Sequence, residues 1–143
     1  QYKVIGNVEV PYEYSYLPSP VADDFKEALS CYSNSNYNAF GAMCRRCVQS
    51  ISLELGANGK DKVQQQVEEL EKVAEIDDET SGILRQIIIA GHDGSHPHLP
   101  KLNKERAEIL LELMKDVLHQ IFIRKAKIQE SMDLRKKQIA KSN

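Results

Sequence analysis

From Pro20 to Ile121 the apolar residues recur three and four apart, in blocks separated by Gly, Pro and Asn, and that period excludes a sheet as the main architecture. The clearest block is Phe40, Met43, Cys44, Cys47, Val48, Ile51 and Leu55, one face of a helix that Gly56 and Asn58-Gly59 bring to an end. Before it, Ser19-Pro20 supplies a hydroxyl cap followed by a proline in the first turn, with Asp23 and Asp24 near the positive end of the dipole. This predicts a first helix from residue 20 to about Ser33. A third, more polar helix is expected over 60–74, with Val63, Val67, Leu70 and Val73 as its narrow stripe. Asp77 or Asp78 caps a fourth, in which Ile83, Leu84, Ile87 and Ile88 face inward. Gly91 and Gly94 should loosen its end, and Pro97 and Pro100 should stop it.

Asn103 caps a long fifth helix with Ala107, Leu110, Leu111, Met114, Val117, Leu118 and Ile121 on its core side. The pattern continues through Ile128, Met132 and Ile139, but Lys125 and Arg135 interrupt it, so the last residues should project as a basic helix. The expectation is an all-α bundle of about five helices over 20–123, followed by a helical extension over 124–143. Residues 1–19 read as an extended arm. Prolines 11, 18 and 20 forbid a helix there, and Val8, Val10, Tyr12, Tyr14 and Tyr16 alternate with polar residues and proline. The aromatic face of this arm should lie along the body of the domain or along a partner.

With 143 residues the chain suffices for one domain, and its net charge of −2 exerts no overall pull toward nucleic acid or membrane. The charge is unevenly placed. Residues 124–143 hold seven Lys/Arg against two Asp/Glu, a net of +5, which leaves −7 for residues 1–123. No apolar run approaches the roughly 20 residues that span a bilayer. Three cysteines, an odd number, fit a reducing compartment, and a cytoplasmic location is expected. The chain begins at Gln1 and is expected to be part of something longer.

Chemistry is concentrated in Gly91-His92-Asp93-Gly94-Ser95-His96-Pro97-His98, which holds three of the four histidines. Imidazole is the side chain whose ordinary pKa lies closest to neutrality, so such a cluster can move protons, hold a metal or bind phosphate. His92 and His96 stand four apart, as in paired zinc ligands, but Gly94 and Pro97 disturb that helix and only Asp93 and His98 are near to complete a shell. Arg85 lies seven residues before His92, two turns and about 10 Å away along one face. An arginine to hold phosphate and a histidine to deprotonate a ribose hydroxyl are the minimum for metal-free RNA cleavage. Alternatively, the glycines permit a close helix approach and the imidazoles bond the backbone at a turn. Cys44 and Cys47 have the spacing of a redox or zinc pair, yet both fall on the apolar stripe, where cysteine packs as a small hydrophobe. Arg45 and Arg46 are suited either to a phosphate or to bracing the bundle against an acidic neighbour.

Ala39 to Gln49, ending Arg45-Arg46-Cys47-Val48-Gln49, followed by Gly91-His92-Asp93-Gly94-Ser95-His96-Pro97, resembles an uncharacterised prokaryotic domain family of the HEPN-like group, often fused to restriction and other defence proteins. The likeness extends over about residues 20–123. The family pattern is Arg-x-x-Leu-Glu in an early helix and Gly-Asn-x-x-x-His near the end of a later one. The resemblance implies a helical bundle that dimerises with its motif helices facing. In active members RNA is cleaved through an arginine followed, four to six residues later, by a histidine. By position Gly91 stands where that arginine would be, His92 where a polar residue follows it, and His96 where the catalytic histidine would be. Gln49 replaces the glutamate of the early motif. The expected function is therefore a homodimeric interaction module of a prokaryotic nucleic-acid-directed or defence system, with RNA or a larger defence protein as partner and neither metal nor cofactor. Its groove would be lined by Arg45, Arg46 and Asp93. The alternative is a metal-independent endoribonuclease using His96, His92 and Arg85, with Arg46 as a second candidate arginine.

Overall fold

The computed structural model describes residues 10–73 and 75–142. Among these residues it is all-helical, without a strand. The elements are α1 (Ser19–Ser33), α2 (Tyr37–Glu54), α3 (Val63–Lys72), α4 (Asp78–Ser95), α5 (Lys104–Leu118), a π-helical turn (His119–Ile123) and α6 (Arg124–Ser142). Residues 104–142 are thus one nearly continuous helix interrupted by a single wide turn.

The apolar stripes meet in one core. Val21, Phe25, Phe40, Cys44, Cys47, Val48, Ile51, Leu84, Ile87, Met114 and Val117 are all buried there. The helix ends follow local chemistry. The Asp77 side chain accepts from the Thr80 N–H at 2.7 Å and that of Asn103 from the Arg106 N–H at 2.9 Å, each closing the start of its helix. Gly56, at φ +97°, ends α2. Its N–H donates to the Leu53 carbonyl and that of Ala57 to the Ser52 carbonyl, both at 3.0 Å. The same pair of bonds ends α1 from Ser35 and Asn36, although Ser35 is no glycine and sits at φ 60°.

Three local expectations change. Ser19 is inside α1 and makes no capping bond; Pro18 holds the cap position, so proline at 20 falls in the second helical place. Asp23 and Asp24 both lie beyond the first turn and do not serve the dipole, and Asp24 turns into the seam with α2. α3 is shorter than 60–74, and Val73, expected on its stripe, is exposed. In the arm, Val10, Tyr12 and Tyr14 do alternate with exposed neighbours and pack on the chain's own body. Tyr12 and Tyr14 lie 5.2 Å apart, and the Tyr12 ring meets Phe25 edge-on at 4.9 Å. Val8 lies outside the described residues.

The most intimate packing is between α2 and α4, and glycine makes it so. A Cβ on Gly91 would collide with Cβ of Arg45 and come within 2.7 Å of the Gly41 carbonyl oxygen. One on Gly94 would come within 2.7 Å of the Asn38 carbonyl. Rather than loosening the end of α4, as expected, both glycines lie inside a helix that runs on to Ser95, and they let it press against α2.

Candidate functional site

The end of α4 lies between α2 and the start of α3, and the three elements enclose a cleft of about 440 Å³. From α4 come His92, Ser95 and His96, the last at the point where the chain leaves the helix. The two imidazoles are 4.2 Å apart between ring centroids and inclined by 51°. Ser95 donates its hydroxyl to the Gly91 carbonyl at 2.8 Å, one turn back along the same helix.

From α2 come Arg45 and, one turn on, Gln49. The Arg45 stem occupies the space into which any side chain at 91 would project. Its Nε is buried and has no hydrogen-bond partner among the described residues, an arrangement that costs free energy unless a ligand or solvent reaches the guanidinium. Lys62, Val63 and Gln64 complete the wall. They begin α3, where the Lys62 N–H donates to the Gln65 side chain at 3.1 Å and the helix dipole presents its positive end. Among the described residues no carboxylate lines the cleft; an arginine, a lysine and two imidazoles do.

The remaining candidates are held elsewhere. Arg85 shares a face with His92, as the spacing demands, but its guanidinium is bound to Glu71 at 2.8 Å, near the far end of α3. That bond lowers the Glu71 carboxyl from its usual range, while Asp78, hydrogen-bonded to Glu71, is raised. Arg46 lies on the other side of α2, with Nε 3.2 Å from Asp24. Asp24 also accepts a short bond from the Ser50 hydroxyl, joining α1 to α2. Asp93 binds Arg106 at 2.9 Å and ties α4 to α5. His98 is exposed in the following loop and does not reach the cleft. Of the six candidates, the structure brings Arg45, His92 and His96 together and places Arg46, Arg85 and Asp93 in braces.

Lys62 and Gln64 were not among the expected site residues. They arrive because α3 runs antiparallel along α4, with its start beside His92 and its end beside Arg85. Cys44 and Cys47 are buried in the core, and the Cys47 thiol faces the Val21 carbonyl at 3.8 Å. Burial pushes the Cys47 thiol up to about 12 and that of Cys44 well above its ordinary value, so neither supplies thiolate near neutral pH. Among the described residues no group of three or more His, Cys, Asp and Glu could hold a metal ion. The neighbours of the histidine pair, Arg45 and Lys62, would also repel a cation.

Residues 26–139 match the model of a family described as Domain of unknown function (DUF4145). The chain belongs to this family. The DUF4145 region takes in the cleft and extends beyond 123 through most of α6, so the basic helix lies within it. The arm lies outside. No curated protein and no solved structure matches the chain. Among the described residues of this DUF4145 member, no helix is long and apolar enough to cross a membrane.

Proposed function

We propose that the chain is a HEPN-like helical interaction module that self-associates and binds a phosphate group of single-stranded RNA in the α2–α3–α4 cleft. It would act as a scaffold or regulatory part of a cytoplasmic prokaryotic nucleic-acid-directed or defence system. One observation carries this reading. Arg45, Lys62, His92 and His96 converge on a cleft that no carboxylate of the described residues lines, although the chain as a whole is acidic. Such an excess of donors and positive charge suits an anion, and a guanidinium beside an ammonium suits the oxygens of a phosphodiester. The absence of side-chain space at Gly91 supports binding rather than cleavage, since the motif arginine has no place there.

The test is fluorescence anisotropy of a labelled single-stranded RNA with the wild-type chain, with Lys62→Ala and with His92→Ala/His96→Ala. Binding that weakens with salt and falls in both variants supports the reading. Equal affinity for all three, or none for the wild type, contradicts it.

A second reading, metal-independent RNA cleavage, is favoured by the course of the Arg45 stem, which brings an arginine from α2 to the place next to Gly91. One imidazole of the His92/His96 pair would take the proton from a ribose 2′-hydroxyl as its oxygen attacks phosphorus. The other, protonated, would give a proton to the departing 5′-oxygen, leaving a 2′,3′-cyclic phosphate. Arg45, rather than Arg85 or Arg46, would stabilise the charge on the phosphorane-like transition state. Cleavage in chelator by the wild type but not by His92→Ala/His96→Ala would favour this reading; no cleavage leaves the binding module.

A further inference from the structure

The C-terminal helix buries none of its residues, and the arm meets it on one side. Tyr16 of the arm donates its hydroxyl to Glu130 at 3.3 Å and lies under the Lys127 ammonium, 5.8 Å from the ring centroid. At ~100° per residue, Ile128, Met132 and Ile139 fall on the side of α6 turned away from those contacts. All three are more than two-fifths exposed. Arg124 and Arg135 flank this strip on one side, and Lys125 and Lys136 on the other.

The bundle carries a surface of the opposite kind. Ile89 of α4 and Ile109 of α5 are each about half exposed, and with Leu113 they line a shallow apolar groove between the two helices. Along its α5 edge run Glu105, Glu112 and Asp116, at intervals of seven and four residues. The one arginine in the groove, Arg106, is already bound to Asp93. An apolar strip edged by cations therefore exists on the same molecule as an apolar groove edged by carboxylates. The charges divide the same way, +5 for residues 124–143 and −7 for residues 1–123.

We propose that α6 of one copy docks by its Ile128–Met132–Ile139 face into the α4–α5 groove of a second copy, and that the second copy returns the contact. The inference rests on the self-association proposed above and names its surface. Two-fold exchange satisfies both surfaces at once and leaves neither exposed, which is the condition for a closed dimer rather than a chain of copies. A helix of 19 residues is about 28 Å long, and two such contacts, counted on both partners, cover on the order of 1,000 Å². That is near the lower bound for a specific interface, so the dimer should be dissociable and sensitive to salt.

Sedimentation of the full chain tests this, with folding checked by circular dichroism, using Met132→Asp on the helix and Ile109→Asp in the groove. Both positions are exposed, so neither change opens the core. The expected result is a wild-type dimer whose dissociation constant rises at least ~10-fold in either variant, the loss of about one apolar anchor. Mixing the two variants should restore part of the association, because the intact helix of one meets the intact groove of the other. A monomeric wild type overturns both this contact and the self-association on which it rests. A dimer indifferent to both substitutions overturns this contact alone, because another face then joins the copies. Loss in Met132→Asp without loss in Ile109→Asp overturns the groove and indicates pairing of α6 with α6. Loss of RNA binding in Met132→Asp, with the oligomer unchanged, makes the helix a nucleic-acid contact and likewise overturns the proposal.

Discussion

The two ends of the α3–α4 seam both gather polar and charged residues and are left in opposite states. At one end Arg85 is paired with Glu71 within the fold, and Asp78, hydrogen-bonded to Glu71, is raised by it. At the other, about two turns along α4, Arg45, Lys62, His92 and His96 meet with no carboxylate among the lining residues. Folding accounts for the Arg85–Glu71 pair, since an ion pair between neighbouring helices needs nothing further. It does not account for the second end, where like charges are gathered at some cost and a buried Nε has no partner among the described residues. A side chain that the fold has already satisfied is a poor candidate for function, however well its spacing fits a motif.

The most severe way to break the comparison is to restore the motif arginine. Gly91→Arg would drive its Cβ into Arg45 and the Gly41 carbonyl, backbone that cannot yield cheaply. The expected cost is on the order of 3 kcal/mol or more, with loss of the α2–α4 contact, read by thermal or urea unfolding. A Gly91→Arg protein of wild-type stability would show that the close crossing is not needed.

The next variants separate the two ends. Lys62→Ala should weaken RNA binding by ~10-fold, about 1.4 kcal/mol, and leave stability nearly unchanged. Arg85→Ala should do the reverse, shifting the unfolding midpoint slightly and sparing RNA affinity, because a half-exposed pair that solvent still screens contributes little. Equal effects of the two substitutions on binding would erase the distinction.

Alkaline titration probes the core away from both ends, where the arm and α1 pack on α2. The Cys47 thiol moves from 9.0 to about 12, chiefly through burial, and the Tyr12 hydroxyl from 10.0 to about 12 for the same reason. In the unfolded chain these groups ionise at their ordinary values, so above pH 9 the unfolded state holds fewer protons than the folded one. Stability is then fully present below about pH 9 and declines as pH rises toward 12. Cys47→Ala should make that decline shallower, and an unchanged slope would contradict the burial. The smallest effect is expected at Ser35, where glycine would relieve a left-handed backbone. Ser35→Gly should raise stability by up to about 1 kcal/mol, measured by urea unfolding.

Much of the helical order was legible in residue spacing, because each stripe is a local signal and caps such as Asp77 and Asn103 act within three residues. Val73 and Ser19 escaped that logic, since a stripe or a cap is recognised by residue type while its use depends on the neighbouring chain. The histidine pair was visible because its members are adjacent in sequence. Arg45 and Arg46 could not be separated in that way. They point about 100° apart, and only the packing of α1 and α4 on different faces of α2 decides which one faces the cleft and which one faces Asp24. Lys62 lay further from view, because its place depends on the direction of α3.

The most direct test of the cleft is to titrate the full chain with a short single-stranded RNA while following the histidine side-chain resonances by NMR. His98 and His119 lie outside the cleft and act as internal controls. Shifts at His92 and His96 together with the Arg45 Nε–H signal, with the two controls unmoved, are the predicted result. Binding that leaves His92 and His96 unmoved, or no binding at all, would contradict the assignment of the cleft.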